Sequence, residues 1–434
     1  MKLITSMLAL LVGWSLFSAE YYVRSGAQGN HSGTDWTNAF PDLPSVLERG
    51  SAYYVASGTY GPYVFDDAEI GNLVVTILKA TPNDHGADIG WLDSYADGQA
   101  VFTDARGPIV TFRKGYYRID GQTGDADSGH GIKLYNPANL AAYAGGCCLM
   151  VEGNASAKNL TLEHIEMESA GWAGTVVPAI SRALYAVGET GDFVMRSCYI
   201  HHAGQEWALF ANPSPNFLIE KCYFSKGGSG DRDYHSVGLW IRESTPNMNI
   251  VIRNNVFEDF SAAGGTGYIS LGWRPTKETQ TYSSGYEICG NIFRETSPLA
   301  GPSRAIGSNG SNGGPIVSDV RIYNNTFFGL TGLSGGSILL ANPGENNFAA
   351  NNLWFGCVRT PVFGNIEDIS NFKNAGDNPF VDPMSLRLAG PLPGFFMDGT
   401  IVDLDGNIRG ADGVWDIGAY EYVAHGNRPP ELSP

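Results

Sequence analysis

Charge, and basic charge above all, is what this 434-residue sequence has little of. Only 16% of its residues are charged, and 27 Lys and Arg stand against 44 Asp and Glu, a formal net charge of −17. That balance argues against nucleic acid as a partner, because holding a polyanion takes basic surface that displaces its counterions. Long solvated helices and coiled coils need charged faces, which this composition does not supply. Six cysteines are too few to staple so long a chain, and none lies in a CxxC or Cys/His pattern with zinc spacing. No metal site is assigned. Beyond the N-terminus no apolar run approaches the roughly 18 residues of a membrane span, so no spanning segment is expected in the mature chain.

The one long apolar run is Leu3 to Phe17, preceded by Lys2 and followed by Ser18 and Ala19. It reads as a signal peptide over residues 1–19, which implies a secreted chain, extracellular or periplasmic. What is abundant is glycine, 56 residues, with 43% hydrophobic and 12% aromatic residues. That mixture suits many turns and β-strands around a large core.

Seven segments share one pattern: Leu160 to Met167, Phe193 to Ile200, Phe217 to Phe224, Ile250 to Phe257, Tyr286 to Phe293, Val320 to Phe327 and Asn347 to Trp354. Aligned, they give an apolar column Leu162, Met195, Ile219, Ile252, Ile288, Ile322, Ala349 and a second one ending in Phe224, Phe257, Phe293, Phe327, Trp354. Between them runs Ile165, Cys198, Cys222, Asn255, Asn291, Asn325, Asn352. Asn tolerates left-handed backbone and bonds neighbouring backbone groups, so this column is expected to form a ladder at a tight bend, with Cys198 and Cys222 continuing it as free thiols. Two residues earlier, Glu163, Arg196, Glu220 and Arg253 would stack as alternating charges. A strand, a bend and a strand repeated every few tens of residues describe the coils of a solenoid. A third apolar run in most coils, such as Ala183 to Val187 and Val237 to Ile241, makes the cross-section triangular.

Both ends carry further motifs. Tyr21-Tyr22-Val23, Ser32-Gly33-Thr34-Asp35-Trp36 and Tyr53 to Tyr60 open the chain; Asn378 to Pro383, Asp405 to Gly410 and Asp416-Ile417-Gly418-Ala419-Tyr420-Glu421 close it. With these, the sequence resembles secreted right-handed parallel β-helix proteins of the pectate-lyase-like superfamily. The resemblance implies an all-β fold, a single right-handed three-sheet parallel β-helix. The expected organisation is a signal peptide (1–19), an N-terminal strand and cap (20–50, with Leu43 to Leu47 shielding the first coil), the β-helix (51–375) and a C-terminal capping segment (376–434).

The resemblance also implies an acidic polysaccharide as partner, bound in a groove along one sheet. Calcium is the cofactor such enzymes use, but no clustered Asp motif indicates it here, and Arg274-Pro275 lacks the second Arg of the pectate lyase pattern. The densest polar constellation is Asp231, Arg232, Asp233, His235, Trp240 and Arg242, joined by His201, His202, Glu206 and Trp207 one coil earlier. Strand alternation turns Trp240 and Arg242 outward if Leu239 and Ile241 point in. An aromatic beside an Arg suits a sugar ring and its carboxylate. β-Elimination needs a base, for which His235 or Lys221 stand, and a cation, for which Arg242 stands. Hydrolysis would need two carboxylates, for which Glu206 with Asp231 or Asp233 stand. His202 completes the catalytic candidates, and Trp240, Trp273, Arg274 and Trp207 are the substrate-binding ones. Two readings follow: a secreted polysaccharide lyase, hydrolase or binder, and a non-catalytic surface or assembly protein, homo-oligomeric or not, that uses the solenoid as a scaffold.

Overall fold

A computed structural model describes residues 19–424 except 173–179, 229–235, 243–245, 261–266, 298–303, 309, 333–335, 359–361, 364–365, 374–375 and 398–400. The signal-peptide expectation for residues 1–19 therefore lies, but for Ala19, outside the described residues. The chain is a parallel β-helix. Eleven strands from Gly58–Tyr60 to Phe372–Lys373 form one sheet, here the second. Twenty-one others make a continuous sheet that bends along its length into two rows, because strands such as Arg182–Arg196 belong to both. The first sheet begins with Glu20–Val23, which pairs parallel with Ala52–Val55, and continues through Phe217–Glu220 and Ile250–Arg253. The third includes Ala208–Pro213, Val237–Ile241 and Gly267–Leu271. Among the described residues no helix is long and apolar enough to cross a membrane.

Stacking obeys the sequence columns. Ile252, Ile288 and Ile322 occupy successive register positions of the first sheet and are wholly buried. Each gains roughly 1.5–3 kcal/mol over an exposed position. On the second sheet Phe224, Phe257, Phe293, Phe327 and Trp354 stack ring on ring, with successive centroids 4.8, 5.0, 5.0 and 4.7 Å apart. Outside the first sheet, Glu163, Arg196, Glu220 and Arg253 form a continuous chain of ion pairs of 2.6 to 2.7 Å.

The Asn ladder forms as the columns require. The Oδ1 of Asn325 accepts both the backbone N–H and the Nδ2–H of Asn291, while its own Nδ2 donates to Ile288 O and to Asn352 Oδ1. Asn371 extends the ladder by one coil. Cys198 and Cys222 continue it as free, buried thiols. One detail differs from expectation. The left-handed residue at each bend is the one before the ladder: His164, Ser197, Lys221, Asn254, Asn324 and Asn351 all have φ between 49° and 55°. The ladder Asn serves through its side-chain amide. A second ladder lies at the bend entering the first sheet, where Asn249 donates to Asn216 and Asn216 to Asp192.

At the N-terminal end Leu43 and Leu47 are buried in the main core as a shield would be, while Val46 is 73% exposed. The described residues of 376–424 pack along the flank of the last coils. There Trp415 donates to Asn324, and Asn351 donates to Phe395 O. The closing motif locks that segment: Asp416 accepts from the backbone of Leu392 and Tyr422, and Glu421 pairs with the fully buried Arg409.

Asn325→Ala leaves several buried groups unpaired, each costing roughly 1–3 kcal/mol. Asn216→Gly, which keeps the left-handed φ of +70° without strain, breaks only exposed side-chain bonds and is expected to cost under about 1 kcal/mol. Denaturant midpoints at constant slope measure the difference, and equal shifts would count against the ladder as the register-setting element. Glu220 offers a pH test. Burial opposes its ionisation, but Arg196 and Arg253 outweigh it and hold its carboxyl below the usual range. Its contribution is therefore fully present above the unfolded carboxylate range and is lost as pH falls through the lowered folded value. Stability of Glu220→Gln should start lower at neutral pH and fall less steeply on acidification than the wild type.

Candidate functional site

Strand Val237–Ile241 buries Val237, Leu239 and Ile241 and turns Trp240 outward, half-buried. Arg242 follows in the same phase. One coil on, Gly272 adopts φ +64°, a conformation a side chain would resist, and Trp273 follows it. The result is a guanidinium stacked between indoles. The Arg242 Cζ lies 3.7 Å from the Trp273 ring centroid and 5.2 Å from that of Trp240. Such stacking is worth roughly 0.5–2 kcal/mol. No acceptor among the described residues bonds the Arg242 side chain, and its Nε and the Trp240 Nε1 are buried without partners.

Beneath it, Glu206 is 1% exposed and ion-paired with Arg182, whose guanidinium lies 4.8 Å from the Tyr185 ring. Burial pushes the Glu206 carboxyl up, against the pull of Arg182 and Arg242. Burial likewise draws the Arg242 guanidinium down, with Tyr185 and Glu206 opposing. Among the described residues, two arginines and one carboxylate face one another here on a chain of net charge −17.

The structure thus brings Trp240, Arg242 and Trp273 together and sets Glu206 behind them. Glu206 faces the two arginines from the interior, 1% exposed and paired with Arg182. Trp207 is no sugar platform: it is wholly buried against Phe224, Phe260 and Tyr268, its indole N–H on Ser225 O. Arg274 folds onto its own loop, donating to the carbonyls of Thr276, Lys277 and Thr279. Lys221 is the exposed left-handed residue at the bend between the first and second sheets, away from the third-sheet strand that carries Arg242. His202 belongs to a second-sheet cluster with His201, and no contact among the described residues joins it to Arg242. Asp231, Arg232, Asp233 and His235 lie outside the described residues. Sequence reading missed Arg182 and Tyr185. The signal was there, since Arg182 immediately precedes a third-sheet run and Tyr185, Leu209 and Trp240 share one register row.

Calcium takes six to eight oxygen ligands. Among the described residues the one three-ligand group, Glu168 with His201 and His202, is nitrogen-rich and does not fit it.

No protein-family model matches this chain, and no curated protein is similar to it. Solved structures are. Pectate lyase Pel9A superposes with a TM-score of 0.50 at 14% identity, covering 94% of this chain and 98% of its own. An alginate lyase from Paenibacillus sp. gives 0.42 at 14%, covering 82% and 99%. PfbA, a surface adhesin of Streptococcus pneumoniae, gives 0.41 at 11%, covering 83% and 84%. The likeness to the pectate lyase is one of fold, and it spans nearly the whole of both chains.

Proposed function

We propose that this is a secreted protein that binds an acidic polysaccharide on the third-sheet face, with Arg242 taking a uronate carboxylate and Trp240 and Trp273 flanking the sugar ring. The observation that carries this reading is the Arg242 guanidinium, stacked on Trp273 yet bonded to no acceptor among the described residues. An arginine held half-buried with no hydrogen-bonded acceptor among the described residues is poised to take one from a ligand, and Glu206 with Arg182 fixes the floor beneath it.

Cleavage by β-elimination fits the same arrangement. Arg242 neutralises the carboxylate and so acidifies the α proton; a base removes it, the bond to the β glycosidic oxygen breaks, and an unsaturated uronate forms. His235, which stands two residues before Val237 in sequence, is assigned as that base. Hydrolysis is disfavoured because Glu206 is buried and paired.

A panel of uronate-containing and neutral polysaccharides tests the reading by affinity and by the ultraviolet absorbance of the unsaturated product. Arg242→Ala should weaken binding to acidic polymers by roughly 10- to 150-fold, the equivalent of about 1.5–3 kcal/mol for a charge-assisted hydrogen bond. Arg196→Ala, in the outer charge ladder, should leave it unchanged. His235→Ala should keep binding and lose product. If Arg242→Ala combined with Trp240→Ala changes no affinity, the site is wrong. If the wild type binds no member of the panel, the scaffold reading replaces this one.

A further inference from the structure

Across the short corner of residues 203–207, the second sheet carries a cluster that polysaccharide binding does not use. Strand Ile165–Glu168 pairs parallel with Tyr199–Ala203, and Glu168 is in register with His201. In an extended strand His201 and His202 would face opposite sides. His202 instead has φ +54°, a turn repeated at Lys226 and Asp259 in the following coils, so the turn belongs to the coil and the meeting of the rings follows from it. The two rings stand at 74° with centroids 4.8 Å apart, and their Nδ1 atoms are separated by 2.5 Å. The Glu168 carboxylate and one nitrogen of each ring all lie within 4.8 Å of one another.

The surroundings choose the tautomer. Glu166 receives Lys133 Nζ at 2.7 Å and Gln99 Nε2 at 2.7 Å, and its Oε1 lies 3.1 Å from His201 Nε2. That carboxylate accepts the Nε2–H hydrogen bond of His201, which leaves its Nδ1 as a lone pair that accepts from His202 Nδ1–H; binding of an ion moves that proton to His202 Nε2. A carboxylate holding the far nitrogen of an imidazole is how metal-binding histidines are oriented.

We infer that His201 Nδ1, His202 Nδ1 and the Glu168 carboxylate bind one divalent first-row transition ion, Zn²⁺ being the representative case. Two imidazoles and one carboxylate suit such ions, whereas Ca²⁺ and Mg²⁺ prefer all-oxygen sets. With Zn–N bonds of about 2.0–2.1 Å, tetrahedral coordination separates two nitrogens by roughly 3.3 Å. The rings therefore need to part by less than about 1 Å. Lys133, which bridges Glu166 and Glu168, gives up Glu168 to the ion and keeps Glu166. Lys133, and Lys226 near His202, oppose a cation and set the affinity below that of a closed structural zinc site. His202 is half-exposed, so the ion has access and its fourth position is left to solvent. This inference does not depend on the sugar site.

The test is calorimetric titration of the full chain, stripped with chelator, with Zn²⁺, and with Co²⁺ followed by its visible ligand-field bands. One ion per chain is expected for each metal, with Ca²⁺ unable to compete. His202→Asn, which tolerates the left-handed turn, should lose at least about tenfold in affinity while unfolding at the wild-type midpoint without metal. Glu166→Gln, at a residue that is no ligand and acts through His201 and through Lys133, should weaken binding by roughly 10- to 100-fold. Absence of saturable one-to-one binding in the wild type, or wild-type affinity in both His202→Asn and His201→Gln, would overturn the inference.

Discussion

Everything in this molecule depends on a side-chain amide that has nowhere else to bond. At four successive bends between the first and second sheets Asn255, Asn291, Asn325 and Asn352 are sealed from water, and their amides are met chiefly by the coil before and the coil after. Slipping a coil by one residue would strand those groups at roughly 1–3 kcal/mol each and turn the Ile252, Ile288, Ile322 row toward solvent. Register is thereby fixed along the solenoid. With register fixed, outward positions from different coils fall side by side, which is how Arg242, Trp240 and Trp273 come to share one surface though 33 residues separate the outer two.

The two polar clusters sit on adjacent sheets and use that scaffold differently. On the third sheet, among the described residues, Arg182 and Arg242 outnumber the carboxylate of Glu206, and Arg242 is bonded to no acceptor. On the second sheet Glu166, Glu168 and Lys133 balance one another around His201 and His202. The first arrangement leaves a cation for an incoming anion. The second leaves paired imidazole nitrogens for an incoming cation. Residues 203–207 lead from the strand of His201 and His202 to Ala208–Pro213, the third-sheet strand one coil before that of Trp240 and Arg242.

Much of the fold was legible because a solenoid repeats its contacts at a fixed place in each coil. Aligning seven segments was enough to find the Ile row, the aromatic stack, the charge chain and the Asn ladder. The second ladder, Asp192, Asn216 and Asn249, escaped because the aligned segments began one residue after it, at Phe193, Phe217 and Ile250. The site was less legible. Strand alternation placed Trp240 and Arg242 correctly, but it says nothing about residues at corners, where Trp207 turns into the core and Arg274 wraps its own loop. Nor does sequence distance reveal that Arg182 meets Glu206, or that Glu168 lies under His201. Those meetings follow from coil length, which varies from coil to coil with the loops.

The central claim is that the third-sheet face is built to receive a carboxylate at Arg242. A crystal structure of the protein with a short oligouronate that it binds in solution tests this most directly. The account predicts a sugar carboxylate bonded to the Arg242 guanidinium, with a ring against Trp240 or Trp273. An oligouronate seated elsewhere, for instance on the first-sheet face beside Arg321 and Asn346, with Arg242 untouched, would contradict it.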